Sequence, residues 1–137
     1  MNLFLDCEFN GLGGELISMA LVDEDGHSFY EVLTCTHPIP WVVKNVIPKL
    51  AQAPIFLTEF KNKLCLFLNE YTEIHVIADW EKTYHYLCIV LLLDAGRAMQ
   101  TPPFILELWT GNVFFSFEIA HNALLDARVL ADSYTLQ

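Results

Sequence analysis

The sequence predicts one α/β domain over residues 1–137, built on a mixed five-stranded sheet with helices packed against it. The first observation is composition, since 54% of the residues are hydrophobic and 13% aromatic, as is typical of a folded chain with one core. The second is a group of three strand-like runs near the N-terminus, which favours an antiparallel meander. The third is the alternation of helical and strand-like segments that follows, which favours additional parallel strands.

The first three strands are predicted from apolar runs separated by turn residues. Residues 2–8 and 15–23 are rich in branched apolar side chains, which is typical of strands. The Asp25-Gly26 pair is typical of a hairpin turn, and a third strand is predicted over residues 27–33. We therefore expect these strands to form the antiparallel part of the sheet.

Proline and capping residues mark the two helices that follow. Pro40 suits the first turn of a short helix, and Pro48 should end or kink that helix. Thr58 is the expected N-cap of the second helix. The spacing i, i+4, i+7, i+11 predicts its inward face as Phe60, Leu64, Phe67 and Tyr71.

The second half of the chain alternates strands and helices. The predicted segments are a strand from Glu73 to Asp79, a helix over residues 81–93 that ends before Gly96, a strand from Phe104 to Trp109, and a helix from His121 or Asn122 to about Tyr134. The side chains expected to face the core from the last helix are Leu124, Ala127, Leu130 or Ala131, and Tyr134. The order β-β-β-α-α-β-α-β-α predicts a mixed sheet.

The charge balance argues against one class of nucleic-acid-binding protein. The chain has seven Lys and Arg residues and 17 Asp and Glu residues, which gives a formal net charge of −10. A protein that coats nucleic acid without specificity needs a basic surface, so this class is disfavoured. An enzyme that acts on nucleic acid stays compatible with the charge, because bound divalent cations can reverse the sign of a site.

Apolar runs and cysteines predict a cytoplasmic protein with no membrane segment. The central run "LCIVLLL" is too short to cross a bilayer, and the N-terminus lacks the basic start of a secretory signal. Four cysteines form no CxxC pair and no dense framework, so we expect reduced thiols. The sequence sets no oligomeric state and is compatible with a homodimer.

Two acids interrupt the first predicted strand. Residues two apart in a strand point to the same face, so Asp6 and Glu8 would lie side by side, with Cys7 and Phe9 facing the other way. Two adjacent anions at the end of a buried strand repel each other unless something positive lies between them. The alternative is a strand end already in water, where acids cost little free energy.

Two other polar clusters fall near predicted element ends, "IADWEKT" and "AHNALLDARVL". Five residues along a helix rotate about 500°, which would leave His121 and Asp126 about 140° apart on a fully helical segment. We therefore expect His121 in the loop or N-cap region and Asp126 one turn inside. The alternative is that His121 only starts the helix and that Asp126 is a solvated acid.

The order and spacing of these clusters resemble the DEDDh superfamily of 3′–5′ exonucleases, and the resemblance covers almost the whole chain. The D-x-E motif of that superfamily is matched by Asp6-Cys7-Glu8, and its H-x4-D motif by His121 and Asp126. The segment "PWVVKNVIPKL" looks most like the small bacterial and phage members of the exoribonuclease-like branch. The resemblance implies a ribonuclease-H-like fold.

The resemblance also implies an activity and a site. It implies hydrolysis of phosphodiester bonds from the 3′ end of single-stranded or 3′-overhang nucleic acid, with RNA favoured over DNA. Two divalent cations, Mg²⁺ or Mn²⁺, would be held by Asp6, Glu8 and Asp126, with His121 as the general base. By the same resemblance the terminal nucleotide would be held by Phe9, Asn10, Gly11 and Leu12, and Leu12 could wedge against the last bases.

The second motif of the superfamily is not matched. Its metal-binding Asp is expected at Thr83, and either Asp79 substitutes from the strand end or the fourth carboxylate is absent. We therefore keep two alternative functions: a nucleic-acid-binding or regulatory homologue without turnover, and a hydrolase of small nucleotides or phosphate esters. The tryptophans are interpreted as packing residues, with Trp80 the strongest exception because it adjoins Asp79.

Overall fold

The computed structural model describes residues 1–114 and 120–137. Its helices and strands are β1 (Asn2–Phe9), β2 (Leu16–Asp23), β3 (Ser28–Val32), α1 (Pro40–Asn45), a 3-10 turn (Ile47–Lys49), α2 (Leu57–Leu68), β4 (Ile74–Ala78), α3 (Glu81–Leu91), β5 (Leu92–Asp94), β6 (Arg97–Ala98), β7 (Phe104–Leu108) and α4 (Ala123–Thr135).

Five of these strands form one mixed sheet in the order β3-β2-β1-β4-β7. The β1–β2 and β2–β3 pairs are antiparallel, and the β1–β4 and β4–β7 pairs are parallel. The predicted α/β class, with a meander extended by parallel strands, is therefore confirmed.

The central strand β1 separates two packing layers. Leu3, Leu5 and Cys7 belong to the main core, to which helices α2 and α3 contribute buried side chains. Phe4 packs on the opposite face with Ile77 of β4 and Leu130 of α4. Because side chains alternate along a strand, Asp6 and Glu8 share the face of Phe4 and point toward α4.

The turn between β2 and β3 contains a buried acid with a structural role. One carboxylate oxygen of Asp23 accepts hydrogen bonds from the backbone N–H groups of Asp25 and His27, both at 2.9 Å. The other accepts a hydrogen bond from the Tyr71 hydroxyl at 3.0 Å. Gly26 takes a φ of +87°, which only glycine adopts readily, so the predicted hairpin turn is confirmed.

The start of α2 differs from the prediction. Phe56, with extended backbone and no side-chain cap, precedes the first helical residue, so the prediction of Thr58 as the N-cap is wrong. Phe60, Leu64 and Phe67 are buried as predicted. Tyr71 lies beyond the helix end at Leu68 and is half-buried.

Helix α3 is shorter than predicted. It ends at Leu91 because Leu92 takes an extended conformation, and Leu92 begins the β5–β6 hairpin that turns at Gly96. The sequence did not predict this hairpin, which is only five residues of strand.

The last helix begins as predicted. Asn122 is its N-cap, and its side-chain oxygen accepts a hydrogen bond from the Leu125 N–H at 3.1 Å. Ala127 and Leu130 are buried as predicted, whereas Leu124 and Tyr134 are half-buried. The buried face also includes Ala123, Asp126 and Ser133, so Asp126 points into the molecule.

The four cysteines are free thiols, as predicted. None of the helices in the described residues is long and apolar enough to cross a membrane.

Candidate active site

Three carboxylates converge between β1 and α4. Asp6 and Glu8 project from one face of β1, and Asp126 lies one turn inside the helix that packs on that face. One oxygen from each of the three side chains lies within 4.8 Å of the other two. The structure thus brings together residues that are distant in the sequence. Asp126 is 118 positions after Glu8 and further still from Asp6.

Burial and mutual repulsion make negative charge costly in this cluster. Burial raises the pKa of Asp6 well above its ordinary value, and the neighbouring Glu8, Asp126 and Asp79 raise it further. Burial, and then Asp126, raise the pKa of Glu8 to about 8, although Lys49 opposes this. Burial raises the pKa of Asp126 to about 6, although the His121 backbone N–H opposes this. A cation or a bound proton is therefore needed to stabilise the cluster at neutral pH.

The donor atoms of the cluster fit a hard divalent cation. One oxygen of Asp126 accepts a hydrogen bond from the His121 backbone N–H at 2.9 Å. The other, Oδ1, is buried and accepts no hydrogen bond from the described residues. Carboxylate oxygens are the ligands that Mg²⁺ and Mn²⁺ prefer, so Asp6, Glu8 and Asp126 fit such an ion.

His121 lies at the edge of this cluster and outside helix α4. It precedes the N-cap Asn122 and has a φ of +73°, a left-handed conformation that is uncommon for a residue with a side chain. Its ring stands edge-on to the ring of Trp41, with centroids 4.9 Å apart. Burial and the nearby Lys49 lower the pKa of His121, so its imidazole is neutral at neutral pH. The prediction that His121 lies in the loop or N-cap region is confirmed.

Lys49 holds the loop that carries His121, and the sequence analysis missed this residue. Its Nζ donates a hydrogen bond to the Ala120 carbonyl at 2.7 Å. Its own carbonyl accepts a hydrogen bond from the Asn122 side chain at 2.7 Å. These two bonds clamp both neighbours of His121 to the 3-10 turn. A single lysine after a proline gives no sequence signal for such a contact.

The acids and His121 line an open cavity of about 630 Å³. Its other walls are largely apolar and aromatic. Trp41 and Trp80 line it and are 50% and 45% exposed, although each also packs against one neighbouring ring, that of His121 or Phe9. The ring of Phe9 stacks on that of Tyr86, with centroids 4.7 Å apart, and its centroid lies 5.5 Å from that of Trp80. A flat aromatic ligand would find exposed ring faces beside the carboxylates.

The segment after the acid pair reaches the cavity in part. Phe9, Gly11 and Leu12 line it, and Leu12 is 80% exposed. Asn10 does not line it in the structure. Its amide instead donates to the His37 carbonyl at 2.8 Å and accepts from the Ile39 N–H at 2.9 Å, which fixes this loop to the segment before α1.

Asp79 and Thr83 have different surroundings. Asp79 directly follows β4 and lines the cavity, and burial raises its pKa. Thr83 is 1% exposed, and its hydroxyl donates a hydrogen bond to the Trp80 carbonyl at 2.6 Å. Asp79 therefore lines the cavity, whereas the Thr83 hydroxyl is already engaged in its hydrogen bond to the Trp80 carbonyl. Asp79 still lies outside the group of three carboxylates within 4.8 Å.

A scan of the chain against protein-family models finds no match, and a search of curated proteins finds none either.

Proposed function

We propose that this chain is a divalent-metal-dependent 3′–5′ exonuclease with a ribonuclease-H-like fold that acts on single-stranded nucleic acid, RNA more than DNA. The observation that carries the proposal is the convergence of Asp6, Glu8 and Asp126, which repel each other and line a cavity with exposed aromatic walls. Glu8 and Asp126 are buried, and Asp6 is half-buried. The match of these residues and His121 to the D-x-E and H-x4-D spacing supports the same activity.

Each group has a role in phosphodiester hydrolysis. Asp6, Glu8 and Asp126 would hold divalent cations, which when bound supply charge that stabilises the attacking and leaving oxygens. His121, neutral at neutral pH, accepts the proton of the attacking water. Trp41 and Trp80 would flank the terminal base. The aromatic walls compensate in part for the unfavourable net charge of −10, because stacking is independent of charge.

A binding-only function is the second candidate, and one observation favours it. Thr83, at the position where a fourth metal-binding acid is expected, has its hydroxyl bonded to the Trp80 carbonyl. If Asp79 does not serve instead, metal would bind loosely and turnover would be weak. A hydrolase of small phosphate esters is the third candidate, because the cavity has room for one nucleotide.

A single assay separates the three candidates. A 5′-labelled single-stranded RNA is incubated with Mg²⁺ or Mn²⁺ and resolved on a denaturing gel. A ladder of shortened products supports the exonuclease, binding without products supports the second function, and turnover of mononucleotide esters alone supports the third. Activity should disappear in chelator.

The matched variants test the acid cluster. Asp126→Asn and Asp6→Asn should lower kcat by about 100-fold or more, since each removes a charged oxygen ligand. Asp132→Asn removes an exposed acid from the same helix and should leave kcat unchanged. Near-native turnover of Asp6→Asn at saturating Mg²⁺ would contradict the metal mechanism.

A further inference from the structure

A second cavity adjoins the first. Its volume is about 290 Å³, and it shares the side chains of Phe9 and Leu12 with the first cavity. Leu12, which is 80% exposed, therefore forms the ridge between the two. A strand whose terminal nucleotide lies beside the acids would pass over Leu12 and enter the second cavity with the next nucleotide.

The far wall of the second cavity is the beginning of α3, where Lys82 and His85 are exposed. Residues three apart on a helix lie on one face, so the two side chains are neighbours. The Tyr86 hydroxyl donates to the Gly14 carbonyl at 2.6 Å and ties the opposite wall of the cavity to this helix. The cavity thus places the cationic Lys82 and the hydrogen-bond donor His85 opposite Leu12.

Lys82 differs from most of the seven basic side chains. Lys49 and Lys61 donate to backbone carbonyls, Lys63 pairs with Glu31, and Arg97 pairs with Asp94. Lys82 makes no hydrogen bond or ion pair with residues 1–114 or 120–137. In a chain of net charge −10, such a cation beside the substrate path is a favourable position for an anion.

Resting on the proposed function, we propose that the second cavity is a phosphate subsite of the exonuclease. Lys82 and His85 would hold the backbone phosphate on the 5′ side of the penultimate nucleotide. Lys82 supplies charge, and the His85 imidazole can donate an N–H whether neutral or protonated. Glu81 also lines the cavity and opposes the phosphate, so its charge weakens the subsite.

The test removes one charge from the substrate and one from the protein. Two 5′-labelled RNA strands are compared, one with a normal phosphate and one with a neutral methylphosphonate between the second and third nucleotides from the 3′ end. Both strands carry a 2′-deoxy sugar on the third nucleotide, which keeps the neutral linkage stable. We measure kcat/KM in Mg²⁺, and binding by fluorescence anisotropy with Ca²⁺ in place of Mg²⁺.

The wild type should prefer the phosphate strand by about three- to fivefold, the size of an exposed charge interaction. Lys82→Ala should lose that preference and degrade both strands at the rate of the wild type on the neutral strand. Glu81→Gln should increase the preference. Arg128→Ala removes an equal charge from an exposed position that lines neither cavity, and should keep the preference.

The two proposals fail in different ways. Equal kcat/KM of the wild type for both strands would overturn the subsite and leave the exonuclease intact. Binding that depends on the phosphate and on Lys82, without shortening of either strand, would support the subsite as a site of phosphate binding and overturn the exonuclease. If the wild type neither shortens nor binds either strand, both proposals are overturned.

Discussion

Asp6, Glu8 and Asp126 have raised pKa values because protein surrounds them and because each faces another acid. The same side chains on a solvated strand end would have ordinary pKa values, which was the alternative that the sequence left open. The spacing of Asp6 and Glu8 predicted their shared face, because side chains alternate along a strand. Their burial depends on α4, which packs over them from the other end of the chain.

His121 should act on the chemical step. His121→Ala is expected to lower kcat by about 10²–10⁴-fold, with little change in KM or metal affinity, because a positioned base acts in the transition state. Its pKa is lowered from 6.5, so at saturating Mg²⁺, where metal keeps the carboxylates ionised, the acidic limb of the rate–pH curve should lie below pH 6.5 and disappear in the variant.

The control for this prediction is His27→Ala, which removes an exposed histidine bonded to Glu70. This variant should keep both kcat and the acidic limb. If His121→Ala retains the limb, another group takes the proton from water.

Asp79 and Thr83 can be separated by matched variants. Asp79→Asn should lower activity most at low Mg²⁺, because it removes an anion from the cavity wall. Thr83→Asp should destabilise the fold by roughly 2 kcal/mol or more, since it buries a carboxylate where a hydroxyl donates to the Trp80 carbonyl. Activity at several Mg²⁺ concentrations and urea unfolding provide the measurements.

Thr83→Ser keeps the hydroxyl and should retain near-native stability. A folded Thr83→Asp variant that is more active than wild type at low Mg²⁺ would show instead that this position can complete the metal site.

At the scale of elements, the 3-10 turn and the start of α4 form one unit. Lys49 donates to the Ala120 carbonyl, and the Asn122 side chain donates to the Lys49 carbonyl. His121 lies between these two contacts in a left-handed conformation, so the turn determines where its ring can point. The charge of Lys49 also lowers the pKa values of Glu8, Asp126 and His121.

Lys49→Met should therefore impair turnover, although Lys49 does not line the cavity. We expect kcat about tenfold lower, from a looser His121 loop, since hydrogen bonds made by charged groups commonly contribute about 1.5–3 kcal/mol. Because the variant removes a positive charge near Glu8, metal binding should need a higher pH than in the wild type. Rates and metal titrations across pH measure both effects.

Lys49→Arg restores a charged donor and should recover most of the activity. Loss of stability in Lys49→Met with an unchanged kcat would mean that the clamp serves folding alone.

At the scale of the whole molecule, the acid cluster opposes folding when it is charged and metal-free. An acid whose pKa is higher in the folded state binds protons more tightly there than in the unfolded chain. Its favourable contribution is complete at pH values below its unfolded pKa and is lost as pH rises through the folded pKa. For Asp126 and Glu8 the folded values are about 6 and about 8.

We therefore predict that, in chelator, the melting temperature falls as pH rises from about 4 to about 8. Mg²⁺ or Mn²⁺ binds the ionised carboxylates, so it should raise the melting temperature at pH 8 and much less at pH 5. Differential scanning calorimetry with and without metal tests both statements. Glu8→Gln should flatten the pH dependence and reduce the metal effect.

The exposed acid Asp132 provides the control, because Asp132→Asn changes the net charge equally and should keep the pH dependence. A metal-induced shift as large at pH 5 as at pH 8 would contradict binding to the ionised cluster.

The sequence by itself determined the features that depend on neighbouring residues. The alternation in β1, the hairpin at Asp25-Gly26 and the Asn122 cap all follow from local geometry, and each is present in the structure. Local geometry also predicted that His121 lies outside the helix that carries Asp126. The start of α2 was mispredicted because Phe56 precedes it without a side-chain cap.

Tertiary structure decided which distant residues meet. It placed Trp41 against His121, tied Lys49 to both neighbours of His121, and brought Asp79 rather than Thr83 to the cavity. It also set Lys82 and His85 across Leu12 from the acids. These positions depend on how helices and turns pack on the two faces of the sheet. Periodicity within one segment carries no information about such packing, because each contact joins residues from separate elements.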